Sequence, residues 1–319
     1  MFSKTRKLVR RLTGNRDAIR RDLQLAARNL PMLPLIFWPP NAEPGVRSEL
    51  SASSYNSTGD MLTVVAQALL PARRRPVSAG TLACQPEYLS ATAESSRWFY
   101  INGVVTAPPL AILHAQEIAR VFRRPVHLIH TPTWGVVRDL WDTITARTLK
   151  KDGHLSRPAF YVVQRALERH ERVVLLCHSQ GTIVASYIVR KLLKHASTRH
   201  LVSRLEIYCV AGVADGLHVD DAMTRENGHA VPYVEHFANG RDFFCRVGIL
   251  AHLESTAGHV YCIPERSGHL LNEHYLPGIA RGDYCGRKSR LYHYANGREP
   301  GVLDWQQPSK VIDVQHKSA

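Results

Sequence analysis

The chain has 319 residues, 45% hydrophobic and 21% charged, a balance that excludes disordered and fibrous classes and suffices for one large core. Its formal net charge is +14, and within the first thirty positions nine Lys and Arg face only Asp17 and Asp22. Such a chain favours anionic surfaces; with no aromatic residues between those charges and no nucleic-acid module, nucleic acid is not expected and a phospholipid surface is a candidate partner. No run of about twenty apolar residues and no signal-peptide pattern is present, so no membrane-spanning helix is expected.

Residues 4–30 read as helical, with a break at Gly14-Asn15. Leu8, Leu12, Ile19, Leu23, Ala26 and Leu30 share one face and arginines fill the other. Three uses fit this pattern: an arm packed on the domain, a membrane-surface helix, or an organelle targeting peptide. Pro31, Pro34, Pro39, Pro40 and Pro44 keep the next stretch extended or looped, residues 48–57 read as a serine-rich linker, 61–70 as a short helix and 71–76 as a basic turn. Residues 1–95 are therefore expected to form a basic N-terminal extension.

From Arg97 the pattern alternates. Strands are expected at 98–101, 126–130, 173–176, 205–210, 233–237 and 260–263, with helices at 110–122, 136–148, 159–169 and 182–195. The alternation predicts an α/β domain over 96–319 with a mostly parallel sheet of about six to eight strands covered by helices on both faces. Cys84, Cys177, Cys209, Cys245, Cys262 and Cys285 form no CxxC pair and no metal-ligand spacing. Buried free thiols in a reducing, cytoplasmic setting are expected.

The densest chemical signal is Val173-Val174-Leu175-Leu176-Cys177-His178-Ser179-Gln180-Gly181-Thr182-Ile183-Val184-Ala185. An apolar strand stops at a Ser-Gln-Gly turn and a small-residue helix begins at once. Such a turn lifts a serine hydroxyl to the end of the sheet, beside the positive end of the new helix. Cysteine stands at the first glycine of the usual Gly-x-Ser-x-Gly and is small enough to keep strand and helix close.

These residues resemble the α/β-hydrolase superfamily, and within it the lipase-type serine esterases, whose elbow often reads His-Ser-Gln-Gly. Phe99-Tyr100-Ile101-Asn102-Gly103, the segment His130-Thr131-Pro132-Thr133-Trp134-Gly135 before Asp139-Leu140, and Gly268-His269-Leu270-Leu271-Asn272 extend the resemblance over about residues 97–280. It implies an α/β-hydrolase fold and a triad in the chain order Ser, acid, His. Ser179 is then the nucleophile. Asp242, in the loop after the 233–237 strand, is the acid, with Asp215, Asp220 and Asp221 as alternatives. His269, after the last strand, is the base, with His274 the alternative, while His178 reads as structural.

Backbone N–H groups of Gln180 and of Gly103 or Val104 are expected to hold the oxyanion. The expected reaction is hydrolysis of carboxylic esters, including lipid or phospholipid esters, through an acyl-enzyme. A thioesterase or acyltransferase on the same triad, and a non-catalytic hydrolase-fold binding protein, stay open. Dinucleotide and phosphate loops and HExxH pairs are absent from the sequence, so no cofactor and no metal are expected. The expected partners are a small-molecule or lipid ester and, through the basic N-terminus, an anionic membrane.

Overall fold

A computed structural model describes residues 16–40, 45–69, 82–89, 96–131, 156–215, 217, 231–285, 288–296, 298, 300 and 312–314. The expectations for residues 4–15, the basic turn 71–76, the helix 136–148, and Asp220 and Asp221 lie outside the described residues.

An N-terminal helix α1 (Arg16–Asn29) runs into a 3₁₀ segment (Leu30–Phe37), and α2 (Thr58–Leu69) follows. The strands are β1 (Leu82–Cys84), β2 (Arg97–Ile101), β3 (Val126–Ile129), β4 (Val173–His178), β5 (Leu205–Val210), β6 (Tyr233–Asn239), β7 (His259–Ile263) and β8 (Ile312–Val314). They form one sheet in the order β1-β3-β2-β4-β5-β6-β7-β8, in which β1 runs antiparallel to β3 and every other pair is parallel. β1 and β8 were not legible as strands, and β1 comes from the residues read above as extension.

Alternation along the strands sends side chains to two cores. In β4, Val173, Leu175 and Cys177 face α4 (Ser156–Arg169) and α5 (Gly181–Lys194), packing with Val163, Leu167, Val184 and Ala185. Val174 and Leu176 face the other side, where α3 (Pro108–Phe122), α7 (Leu276–Arg281) and α8 (Arg290–Ala295) supply Ala111, Ala115, Ile118, Ile279 and Leu291. Helix α3 forms because Ala111, Ala115, Ile118, Ala119 and Phe122 recur at helical spacing, and Arg123 ends it in the left-handed region at φ 52°. Each fully buried Val or Leu contributes about 1.5–3 kcal/mol over leaving it exposed.

A buried polar network ties α8 to the sheet. Glu235 accepts from Tyr233 Oη, Ser289 Oγ and the Arg290 N–H, and Glu206 accepts from Tyr208 and Tyr294. The parallel sheet reverses its strand order at β2: β3 lies on one side and β4 on the other. Crevices at such switch points, beyond the carboxyl ends of the strands, are where ligands settle in open α/β sheets.

The serine-rich stretch 48–57 is not a free linker. Ser48 and Glu49 are buried, Ala52–Ser54 forms a 3₁₀ turn, and Tyr55 Oη donates to the Glu49 carbonyl. The expectation failed because it weighed local polarity, whereas Glu49 meets His114, Asn272 and Glu273, all distant in sequence.

Candidate active site

All six residues of β4 are buried, because a central parallel strand is covered on both faces. The next residue, Ser179, takes φ 52°, and its N–H donates to the Val210 carbonyl at 2.9 Å. A left-handed non-glycine residue costs about 1–2 kcal/mol. Val105 (φ 56°) and Ala211 (φ 53°) share this conformation, so the loops after β2, β4 and β5 each hold one such residue. Strain gathered at one rim marks a functional site.

Helix α5 starts two residues after the serine. At Gly181 a Cβ would stand 2.5 Å from the Ile101 carbonyl oxygen, so only glycine lets the helix start this close to β2. Cys177, at the first glycine of the usual motif, is buried between β4 and α5, and burial pushes its thiol well above the ordinary range.

A parallel sheet reversing at β2, a strained serine between β4 and α5, and an acid and a histidine following in the loops after β6 and β7 fix the architecture. This is the α/β-hydrolase fold.

No family model and no curated protein matches the chain. Among solved structures, the hydrolase fold is similar to that of a thermostable carboxylesterase cloned from a metagenomic library. Identity is 10% and the TM-score 0.39, over 76% of this chain and 95% of that one. An esterase from Pyrobaculum calidifontis is 10% identical at TM-score 0.38, over 74% and 89%. A bacterial heroin esterase is 14% identical at TM-score 0.38, over 80% and 94%.

In this hydrolase fold Asp242 does two things. Its Oδ1 accepts the Phe244 N–H at 2.9 Å and caps the helix α6 (Phe243–Val247). Its Oδ2 lies 2.7 Å from His269 Nδ1, so Nδ1 carries the proton and Nε2 presents its lone pair on the opposite side of the ring. Asp242 is completely buried, and Phe244 lies against the His269 ring at 4.3 Å. Ser179 Oγ and His269 Nε2 are both buried, and neither has a hydrogen-bond partner among the described residues. A nucleophile–base bond that closes only on substrate is common in free enzymes.

His178, the neighbour of Ser179, donates from Nε2 to the His269 carbonyl at 2.9 Å and lies 4.9 Å from its ring. Burial, then the neighbouring His269 and His114, holds His178 well below the usual histidine range, so it stays neutral. It joins the elbow to the histidine loop.

The alternatives are placed differently. His274 donates from Nε2 to the Pro39 carbonyl and accepts the Leu270 N–H on Nδ1, so both ring nitrogens are engaged. Asp215 stands after β5, where its carbonyl accepts from Ser255 Oγ at 3.3 Å, and it is Asp242 that meets His269.

Two groups at Asp242 escaped the sequence analysis. Tyr275 Oη donates to Asp242 Oδ2 at 2.8 Å, and Cys245 Sγ donates to the same oxygen at 3.6 Å. Burial, then the negative charge of Asp242, pushes both the phenol and the thiol well up, so each keeps its proton and donates. Cys245 carries a local signal, three residues after Asp242 on the helix that Asp242 caps, whereas Tyr275 stands 33 residues away and carries none. Tyr275→Phe removes one donor from Asp242 Oδ2, so the carboxylate that orients His269 is held less firmly. We expect kcat for a soluble ester to fall by roughly tenfold with KM little changed. An unchanged kcat shows that the phenol does not position Asp242.

The loop after β2 crosses directly over the serine. A Cβ on Gly103 would stand 2.7 Å from Ser179 Cβ and 3.2 Å from His178 Nδ1. Asn102 braces the loop by accepting the Thr131 N–H at 2.7 Å and donating to the Thr131 carbonyl at 2.9 Å. Thr106 Oγ1 donates to the Val104 carbonyl. Gly103 therefore lies directly against Ser179, and Gln180 follows the serine at the start of α5.

The N-terminal residues are fastened to the histidine loop. The His269 N–H donates to the Ile36 carbonyl at 2.8 Å, and Ser267 Oγ donates to the Trp38 carbonyl at 2.8 Å. Glu49 accepts the Asn272 and Glu273 N–H groups and so caps the single π-helical turn Leu271–Tyr275 that carries Tyr275. Its Oε1 also lies 3.0 Å from His114 Nε2. Burial pushes the Glu49 carboxyl up, but His114 and the Asn272 N–H outweigh it, and the net position is below the ordinary range. Among the described residues, no group of His, Cys, Asp and Glu could hold a metal ion.

Proposed function

We propose that the chain hydrolyses carboxylic esters through Ser179, His269 and Asp242. The observation that carries this reading is the 2.7 Å contact between Asp242 Oδ2 and His269 Nδ1, beside a serine at φ 52° between strand and helix. Ser179 Oγ attacks the ester carbonyl as His269 Nε2 takes its proton. The N–H of Gln180 and that of Gly103 or Val104 hold the tetrahedral oxyanion. Collapse expels the alcohol, which takes the proton back from His269, and water then releases the acid by the same route.

Lipid or phospholipid esters are the class we favour, because an apolar group packs beside the His269 ring and the loop over the serine. Val104, Ile183, Val213 and Phe244 pack there with Leu33 and Ile36. No described helix is long and apolar enough to cross a membrane.

Covalent labelling tests the reading. A fluorophosphonate probe adds one adduct, on the peptide that contains Ser179, and the labelled chain no longer hydrolyses p-nitrophenyl esters. A chain that takes no label and hydrolyses no ester is a hydrolase-fold binding protein.

A further inference from the structure

The residues that cover the site have two unlike faces. Toward the domain, Leu25, Ala26, Met32, Leu33 and Ile36 pack on the apolar group beside Ser179, and Arg246 Nε donates to Asn29 Oδ1 at 3.2 Å. Toward solvent, the same stretch leaves large apolar side chains bare: Leu23 is 44% exposed, Leu30 56%, Phe37 48% and Trp38 59%. Arg20, Arg21 and Arg28 are exposed beside them, with Asp17 the one exposed acid of α1 among its described side chains. An amphipathic helix with arginines flanking bare leucines, followed by an exposed Phe-Trp pair, matches an anionic lipid surface in both charge and depth.

We infer that residues 16–40 are the membrane-docking face of this protein and that they seat the Ser179 site on an anionic phospholipid bilayer. Leu23, Leu30, Phe37 and Trp38 enter the boundary between headgroups and acyl chains, and Arg20, Arg21 and Arg28 meet the lipid phosphates. Docking brings the bilayer against the segment whose other side rests on Val104, Ile183 and Phe244, and so holds the site next to its lipid substrate. The lipid-ester step rests on the function proposed above; the docking itself does not.

The test separates the two. Ser179→Ala protein is sedimented with phosphatidylcholine vesicles, with and without phosphatidylglycerol. It should pellet with the anionic vesicles and stay in solution with the neutral ones. Two added variants, Leu23→Ser/Leu30→Ser and Arg20→Glu/Arg21→Glu/Arg28→Glu, should each lower the bound fraction roughly tenfold or more. In the Ser179 background the same variants should hydrolyse a vesicle-embedded ester at least roughly tenfold more slowly, with unchanged rates on a soluble short-chain ester.

Equal binding to both vesicle types, or binding that neither variant weakens, overturns the assignment. So does a change of oligomeric state in place of lost vesicle binding, which makes the face an interface with a second copy. If no ester is cleaved under any condition, the catalytic reading fails and the sedimentation result still decides the docking.

Discussion

Ser179→Ala should lower hydrolysis of a soluble p-nitrophenyl ester by roughly 10⁴-fold or more and abolish fluorophosphonate labelling. The substitution removes one oxygen that has no hydrogen-bond partner among the described residues, so it orphans no group and leaves the fold intact. It also leaves the left-handed turn in place, because alanine carries the same Cβ. Thermal unfolding should therefore match the parent, and the loss of rate reports chemistry alone. A variant that keeps more than a tenth of the parent rate removes Ser179 from the reaction.

Asp242→Asn should cost on the order of 10³–10⁴-fold in kcat, through the tautomer of His269. The carboxylate accepts at both oxygens: Oδ1 takes the Phe244 N–H, and Oδ2 takes His269, Tyr275 and Cys245. An amide has one acceptor end. If its oxygen stays with Phe244, its NH₂ faces His269 Nδ1 and donates to it. The ring proton then moves to Nε2, and the lone pair that should take the serine proton is lost. KM for a soluble ester should change little, because Asp242 is fully buried behind the histidine. A loss below tenfold means that another group orients His269.

The central strands were legible because a parallel strand covered on both faces needs an unbroken apolar run. Val173 to Leu176 and Leu205 to Val210 were read within two residues of their observed ends. The elbow was legible because its requirements are local: a strand end, a small residue, and a glycine facing the Ile101 carbonyl. Asp242 announced itself twice, since the position that caps α6 with one oxygen also holds His269 with the other.

What stayed hidden has non-local causes. The three residues of β1 earn their place from pairing with β3 and carry no pattern of their own. Glu49 lies in a polar stretch and is buried only because Asn272 and Glu273 bring N–H groups to it. Tyr275 reaches Asp242 only because those same bonds hold its π-helical turn.

The bonds that fasten the N-terminal residues to the histidine loop join partners 223 to 235 positions apart. On the ribosome, Leu25, Met32 and Ile36 emerge long before the loop they must cover. At about 5–20 residues per second this apolar stretch waits on the order of 10–50 s without its docking surface. Newly made chains should therefore lean on chaperones throughout most of translation, and maturation of the site should be among the last events of biogenesis.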